Sequence, residues 1–190
     1  AQFLPVAEAR RLMLPIARWV MAEALRWAAR WRAAGLLHAP VAVNLSAVQL
    51  ESAGFVAEVQ AALDACGVEG SLLELEITEH MLMDDVPSVT EALMQLKALG
   101  VRIAIDDFGT GYTSLGHLKD LPIDRLKIDR SFVKDLPQDQ RAAAIAEAIV
   151  RMAHSLGLEV VAEGVETPEQ VHWLAGRHCD ALQGYIDARP

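Results

Sequence analysis

Two adjacent carboxylates, Asp106 and Asp107, close the apolar run Val101-Arg102-Ile103-Ala104-Ile105 and precede a loop with Gly109 and Gly111. Like charges side by side at a strand end repel, so a fold that keeps them supplies counter-charge. Divalent cations are the common source, and hard cations prefer oxygen ligands. Side chains alternate across a strand, so both carboxylates reach one metal centre only where the strand is ending, which is where they fall. The competing reading is an Asx-type turn that opens the Gly109–Gly111 loop.

Other strand ends carry polar groups of the same kind. Glu76 and Glu79 lie in Leu73-Glu74-Leu75-Glu76-Ile77-Thr78-Glu79, where alternation puts Glu74, Glu76 and Thr78 on one face. Charged groups inside a sheet are costly without partners, so a half-exposed edge strand with solvated glutamates competes with a ligand role. Asn44 ends an apolar strand and offers a neutral oxygen to a cation among carboxylates, or else caps a turn. Lys127 interrupts an apolar strand, where it can hold a water or stabilise phosphate charge. Otherwise it makes a surface ion pair with Asp124 or Asp129, and Arg130 is a structural partner next to Asp129. Glu163 and Glu166 flank Gly164; a glutamate near a helix start also fits, and fits Glu166 better. Gln183 before Gly184 is weak on its own and reads equally as a loop hydrogen bond. Trp19, Trp27 and Trp31 follow the first helix and read as packing against the barrel or a subunit interface. Asp-Phe-Gly mimics the kinase magnesium motif, but no HRD loop or glycine-rich phosphate loop accompanies it.

The chain of 190 residues is long enough for one domain with a real core. Its net charge of −9 argues against binding duplex nucleic acid, which needs basic phosphate contacts. Cys66 and Cys179 show no zinc spacing and read as thiols in a reducing cytosol. The six histidines form no HxH or HExxH pattern, so any metal site is oxygen-rich. No apolar run spans a membrane and no signal peptide is visible. A start without Met and an end at Arg189-Pro190 read as a piece of something longer.

The elements that must position these groups alternate. A long amphipathic helical pattern covers 7–34, bent near Pro15; strands are expected at 41–45, 72–78, 101–107, 125–129, 159–163 and 181–184. Helices are expected over about 54–66, 87–99 (stopped by Gly100), 139–156 and from Thr167-Pro168 onward, with a capping-box Gln170. Regular alternation means a parallel sheet covered by helices, and polar residues at all six strand ends favour a TIM-like (β/α)8 barrel over an open doubly wound sheet. Six strands do not close such a barrel, so it is expected to be incomplete here, with two strands missing.

Together these segments resemble the EAL domain, the bacterial cyclic-di-GMP phosphodiesterase family. The stretches are Phe3-Leu4-Pro5-Val6-Ala7-Glu8, Val43-Asn44-Leu45-Ser46, Glu74 to Glu79, Asp106 to Leu115, Leu126-Lys127-Ile128-Asp129-Arg130-Ser131-Phe132, Val161 to Thr167 and Gln183-Gly184-Tyr185. The resemblance covers essentially the whole chain, 1–190, as one domain truncated at both ends. It implies that Asn44, Glu76, Asp106, Asp107 and Glu163 hold two Mg²⁺ or Mn²⁺ ions, with Ca²⁺ inhibitory. It implies that Lys127 contacts the catalytic water, with Glu163 and Gln183 beside it. Glu79 is implied as the anchor of the loop after the Asp pair, and Glu166 and Asp129 as supporting or substrate-side residues. The resemblance implies that the N-terminal strands, which carry the motif that names the family upstream of Phe3, and the last helix are missing here. Glu23-Ala24-Leu25 is a decoy inside the first helix, and the upstream phosphate-binding arginine is absent. Ala9-Arg10-Arg11 and Ile186-Asp187-Ala188 depart from the family pattern.

The expected activity is metal-dependent hydrolysis of cyclic-di-GMP to linear pGpG in the parent protein, with this piece alone weakly active or inactive. The alternative is a non-catalytic cyclic-di-GMP receptor; an enolase-like barrel enzyme is third. The resemblance further implies a cytoplasmic domain, a homodimer, and GGDEF or sensory domains upstream.

Overall fold

The computed structural model describes residues 10, 12–36, 39–82, 86–111 and 115–186. The Phe3–Glu8 stretch, Tyr112 to Ser114 and the residues after Ile186 lie outside the described residues. The chain groups into two compact units, Ala1–Glu76 with Asp85–Ile103, and Ile77–Asp84 with Ala104–Pro190.

In the first unit, helix α1 (Met13–Ala33) packs on α3 (Phe55–Cys66) and on strand β1 (Val41–Asn44). Met21, Leu25 and Ala28 recur at helical spacing and form its buried stripe. The helix begins at Met13, later than the periodicity suggested, so Pro15 falls in its first turn. A missing N–H matters least there, and no bend is needed. The decoy Glu23 is an ordinary helix residue paired with Arg26. Of the two expected placements for the tryptophans, barrel packing or a subunit interface, exposure is greatest at Trp19: Trp19, Trp27 and Trp31 are 63%, 41% and 40% exposed. The Trp27 and Trp31 rings lie 5.6 Å apart, and the Arg30 guanidinium sits 5.0 Å from the Trp27 ring.

Strand β2 (Leu73–Thr78) runs parallel to β1 with Asn44 opposite Glu76. Leu73 through Ile77 are buried, so β2 is no solvated edge strand. Parallel strands are covered on both faces, which buries Glu74 and Glu76 as well. Glu74 lies 3.7 Å from Arg102, the nearby cation that its burial requires. The short helix α2 (Ala47–Leu50) opens with a Ser46–Gln49 capping box, and α4 (Val86–Ala98) ends just before Gly100, as expected.

In the second unit, β3 (Arg102–Phe108, from Ala104 onward), β4 (Arg125–Ile128), β5 (Glu159–Glu163) and β6 (Ala181–Gln183) pair in parallel, each with the next. Between them come α5 (Leu115–Leu118), α6 (Arg130–Val133), α7 (Gln140–Ser155) and α8 (Pro168–Ala175). Asp139 caps α7 by accepting from the Arg141 and Ala142 N–H groups. The buried face of α7 (Ala146, Ile149, Val150, Ala153) packs on β4 and β5. At the N-terminal ends of β5 and β6, Asp180 Oδ2 accepts the Val160 N–H at 2.7 Å and faces His154 Nε2 at 2.9 Å.

Six strands alternating with helices give the TIM-like barrel class expected, with two strands fewer among the described residues than a closed (β/α)8 barrel has. The turn after β6 is set by close backbone approach: a Cβ on Gly184 would stand 1.9 Å from the Val165 carbonyl oxygen. Gly184→Ala is therefore expected to destabilise the fold by about 1–3 kcal/mol, as overpacking does, lowering the melting temperature by roughly 2–4 °C per kcal/mol. Calorimetric melts of the two forms measure it, and an unchanged melting temperature would show that the turn yields freely.

Candidate metal centre and its supports

Asp106 and Asp107 reach the same side through a local break in β3. Ile105 pairs with Leu126, but Phe108 pairs with Ile128, so the register shifts between Ile105 and Phe108. The extra residue is a bulge, which suspends the strict alternation of side chains. Asp107 sits in the left-handed region at φ 53°, uncommon for a residue with a Cβ and most tolerated by Asn and Asp. The strand runs one residue further than expected, so the bulge and not the strand end brings the two carboxylates together. Oxygens of Asp106, Asp107 and Glu163 lie within 4.8 Å of one another.

Lys127 is buried, not paired at the surface. Its Nζ lies 2.9 Å from Asp106 Oδ1 and 2.6 Å from Glu163 Oε1. The apolar neighbours Leu126 and Ile128 anchor β4 in the core and aim Lys127 into this cluster. Register places Gln183 opposite Glu163 across the β5–β6 pair.

The Asp107 carboxyl is raised above its ordinary range, first by loss of water and then by repulsion from Asp106 and Asp129, with Lys127 pulling the other way. Asp129 is also pushed up by loss of water, but hydrogen bonds from the Ser131 side chain and N–H, the Arg130 N–H and Asp107 outweigh this and lower it. The two shifts share one arrangement: the Asp107 and Asp129 carboxyls face each other, and Asp129 also caps α6 by accepting the Ser131 N–H. A cation would offset the repulsion that raises Asp107. The all-oxygen donor set, crowded beyond what one lysine offsets, suits a hard divalent ion.

Glu79 is 3% exposed, and its Oε2 accepts from the N–H groups of Gly109 and Gly111, each at 3.0 Å. Two charge-assisted bonds offset the burial of this carboxylate and hold the loop that follows Asp107. Glu166 does not reach the carboxylate trio; it pairs with Arg130 at 2.8 Å. Arg130 is a structural partner, as expected, with Glu166 as its mate; its chain lies across Gly164, where a Cβ would meet Arg130 Cγ at 2.3 Å. Arg130, Glu163, Glu166, Gln183 and Tyr185 line a recess of about 300 Å³ beside the cluster. Asn44 and Glu76 stand side by side at the ends of β1 and β2 in the first unit, Glu76 buried and Asn44 exposed.

The family model for the EAL domain matches residues 1–190. The chain is 46% identical over 189 residues to the cyclic di-GMP phosphodiesterase NbdA of Pseudomonas aeruginosa, covering all of this chain and 24% of that protein. It spans about a quarter of the length of the curated relatives it matches. Among solved structures, the PaMucR phosphodiesterase in complex with c-di-GMP superposes with a TM-score of 0.94 at 47% identity, over 100% of this chain and 76% of that one. The calcium/cy-diGMP complex of Klebsiella pneumoniae BlrP1 matches with a TM-score of 0.82 at 30% identity, over 92% of this chain and 44% of that one. A family model spanning every residue, joined to identity of this order along the whole length, places the chain in the EAL domain family.

Proposed function

We propose that this chain carries the catalytic face of a cyclic-di-GMP phosphodiesterase, which opens the cyclic dinucleotide to linear pGpG. The observation that carries the reading is the trio Asp106, Asp107 and Glu163 within 4.8 Å, with the Lys127 ammonium between Asp106 and Glu163. The names of NbdA and of the PaMucR complex support the substrate. Asp106, Asp107 and Glu163 would hold divalent cations, Mg²⁺ or Mn²⁺, and the family resemblance adds Asn44 and Glu76 as oxygen donors. Bound there, such ions lower the pKa of water and offset charge on the phosphate oxygens.

The chain's own groups do the rest. Lys127, fixed by Asp106 and Glu163, donates to the attacking water and orients it. Glu163 accepts a proton from that water as its oxygen bonds to phosphorus. The bond from phosphorus to the 3′ oxygen breaks in line, and the leaving oxygen takes up a proton to become the 3′ hydroxyl. Gln183, beside Glu163, positions the water or the phosphate. Asp129 keeps Asp107 oriented, and Arg130 with Glu166 shapes the recess on the substrate side. Calcium is expected to inhibit, because its longer and looser coordination spoils the alignment; the BlrP1 calcium complex retains the cyclic dinucleotide by name. The cyclic dinucleotide implies a cytoplasmic setting. In the longer protein, dimerisation and sensory or GGDEF domains would act through the loop that Glu79 holds.

Lys127→Ala and Asp107→Asn are each expected to lower kcat by about 10²–10³-fold or more, the scale for removing a preorganised charge from a reacting centre. Chromatography of nucleotides from cyclic-di-GMP with Mn²⁺ measures it. Near-normal turnover in either variant would sink the assignment, and tight binding of intact cyclic-di-GMP by the wild type without product would replace the enzyme with a receptor.

Protons and cations compete at Asp107. Its carboxyl is raised, so falling pH fills it with a proton and the Mn²⁺ needed for half-activation should climb as pH drops toward that raised value. Without metal the sign reverses. A carboxyl raised in the folded state contributes stability that is full below its unfolded pKa and is lost as pH rises through the folded value. In chelator near neutral pH, Asp107→Asn should therefore melt no lower than wild type, with any gain small because the group is exposed to screening solvent. With saturating Mn²⁺ the wild type should melt higher. A variant less stable than wild type in chelator would show that Asp107 is not strained there.

A further inference from the structure

The recognised site residues do not include Gln170, whose Oε1 half alone is needed to cap α8. Gln170 is 3% exposed. Its Oε1 accepts the N–H groups of Glu166 at 2.7 Å and Thr167 at 3.0 Å. Its Nε2 donates to the carbonyls of Val133 and Lys134, both at 3.1 Å. A carboxamide has two donors and two acceptor positions, and all four are used. The second pair does nothing for the helix that Gln170 begins. It ties down the end of α6, which follows directly from Lys127 and Asp129.

We infer that Gln170 is a positioning residue, which locks the segment that continues from Glu163 at the end of β5 and carries Glu166 against the segment that continues from Lys127 in β4 and carries Asp129 and Arg130. The inference rests on the phosphodiesterase reading of the site. The contacts between the two segments, Arg130 to Glu166 at 2.8 Å and the Arg130 chain across Gly164, need this spacing, and they lie directly beyond the strand-end pair of Lys127 Nζ and Glu163 Oε1 at 2.6 Å. On its other side the Glu163–Thr167 segment is held to β6 by the Val165 N–H on the Gln183 carbonyl at 3.1 Å. Gln170 thus adds, to those contacts between the two site-bearing turns, hydrogen bonds that involve no charged group. A glutamate in its place keeps the acceptors for Glu166 and Thr167 but sets carboxylate oxygen against two carbonyls. A leucine removes both halves.

The test uses the full-length protein with cyclic-di-GMP and Mn²⁺, comparing wild type, Gln170→Glu and Gln170→Leu. Gln170→Glu should lower kcat by about 10- to 100-fold, the range for an outer partner of a metal ligand, with KM within about threefold and a cooperative melt retained. Its deficit should shrink between about pH 8 and pH 6, because the introduced carboxyl, once protonated, again donates toward Val133 or Lys134; the leucine variant should show no such recovery. An unchanged kcat overturns the inference. So does a deficit of equal size at both pH values, which is what lost fold stability alone would give. If wild type forms no linear product, the phosphodiesterase reading fails, and titration with Mn²⁺ alone decides the role of Gln170. Affinity at least about threefold weaker in Gln170→Glu supports positioning, and equal affinity overturns it.

Discussion

Like charges at 4 Å repel by about 4 kcal/mol at an effective dielectric of 20, so Asp106, Asp107 and Glu163 cannot crowd within 4.8 Å unless the rest of the unit holds them there. Lys127 supplies one positive charge between two of the three carboxylates. The remainder shows at Asp107, whose carboxyl is raised by loss of water and by repulsion from Asp106 and Asp129. The metal-free site is in this sense frustrated, and a divalent cation relieves the frustration in a way no side chain present can. Energy of that sign is what makes cation binding favourable without a deep or enclosing cage.

The restraints are backbone devices at the strand ends. A bulge in β3 and the left-handed Asp107 aim two consecutive side chains at one point, at a cost on the order of 1–3 kcal/mol for the strained residue. Glu79 then grips the following loop by two N–H groups, so the strained turn is tied to a buried anchor. On the far side, Gln170 and the Val165–Gln183 bond fix the turn after β5. Charge supplies the tension in this cluster, and neutral hydrogen bonds supply the frame.

Much of this was legible in the sequence. Strand and helix positions follow from alternating periodicity and from caps at Asp139 and Thr167, and the polar residue at each strand end pointed to the barrel's chemical face. Lys127 was ambiguous because a lysine between aspartates reads equally as a surface pair; only the burial of Lys127 and its contacts with Asp106 and Glu163 decide between the two. The glutamates of β2 were ambiguous for the same reason, since period-2 alternation does not say whether both faces are covered. The bulge was not legible, because a register shift is a property of two strands, whereas the sequence shows one. The second half of Gln170 was hidden likewise: a capping box is a local pattern, but its reach to Val133 and Lys134 spans more than thirty residues. A signal was available in Arg130, whose pairing with Glu166 joins the same two turns, but charge pairing across such a separation has no sequence period.

The opposite ends of the strands sharpen the choice of cation. Cys179 is the sulfur closest in sequence to Gln183, yet its thiol is turned to the carbonyls of Val160 and Ala181, and burial pushes its pKa up to about 11. A thiol so disfavoured as a thiolate is no soft ligand. His154 is engaged with Asp180 at that same N-terminal edge, where Asp180 also takes the Val160 N–H. Because β5 and β6 run parallel, their C-terminal ends carry Glu163 and Gln183 while sulfur and imidazole are bonded at the other end. Among the described residues, the cluster therefore presents oxygen donors with an ammonium between them. That donor set is the kind that hard divalent cations prefer, unlike the thiolate and imidazole sets typical of structural zinc sites.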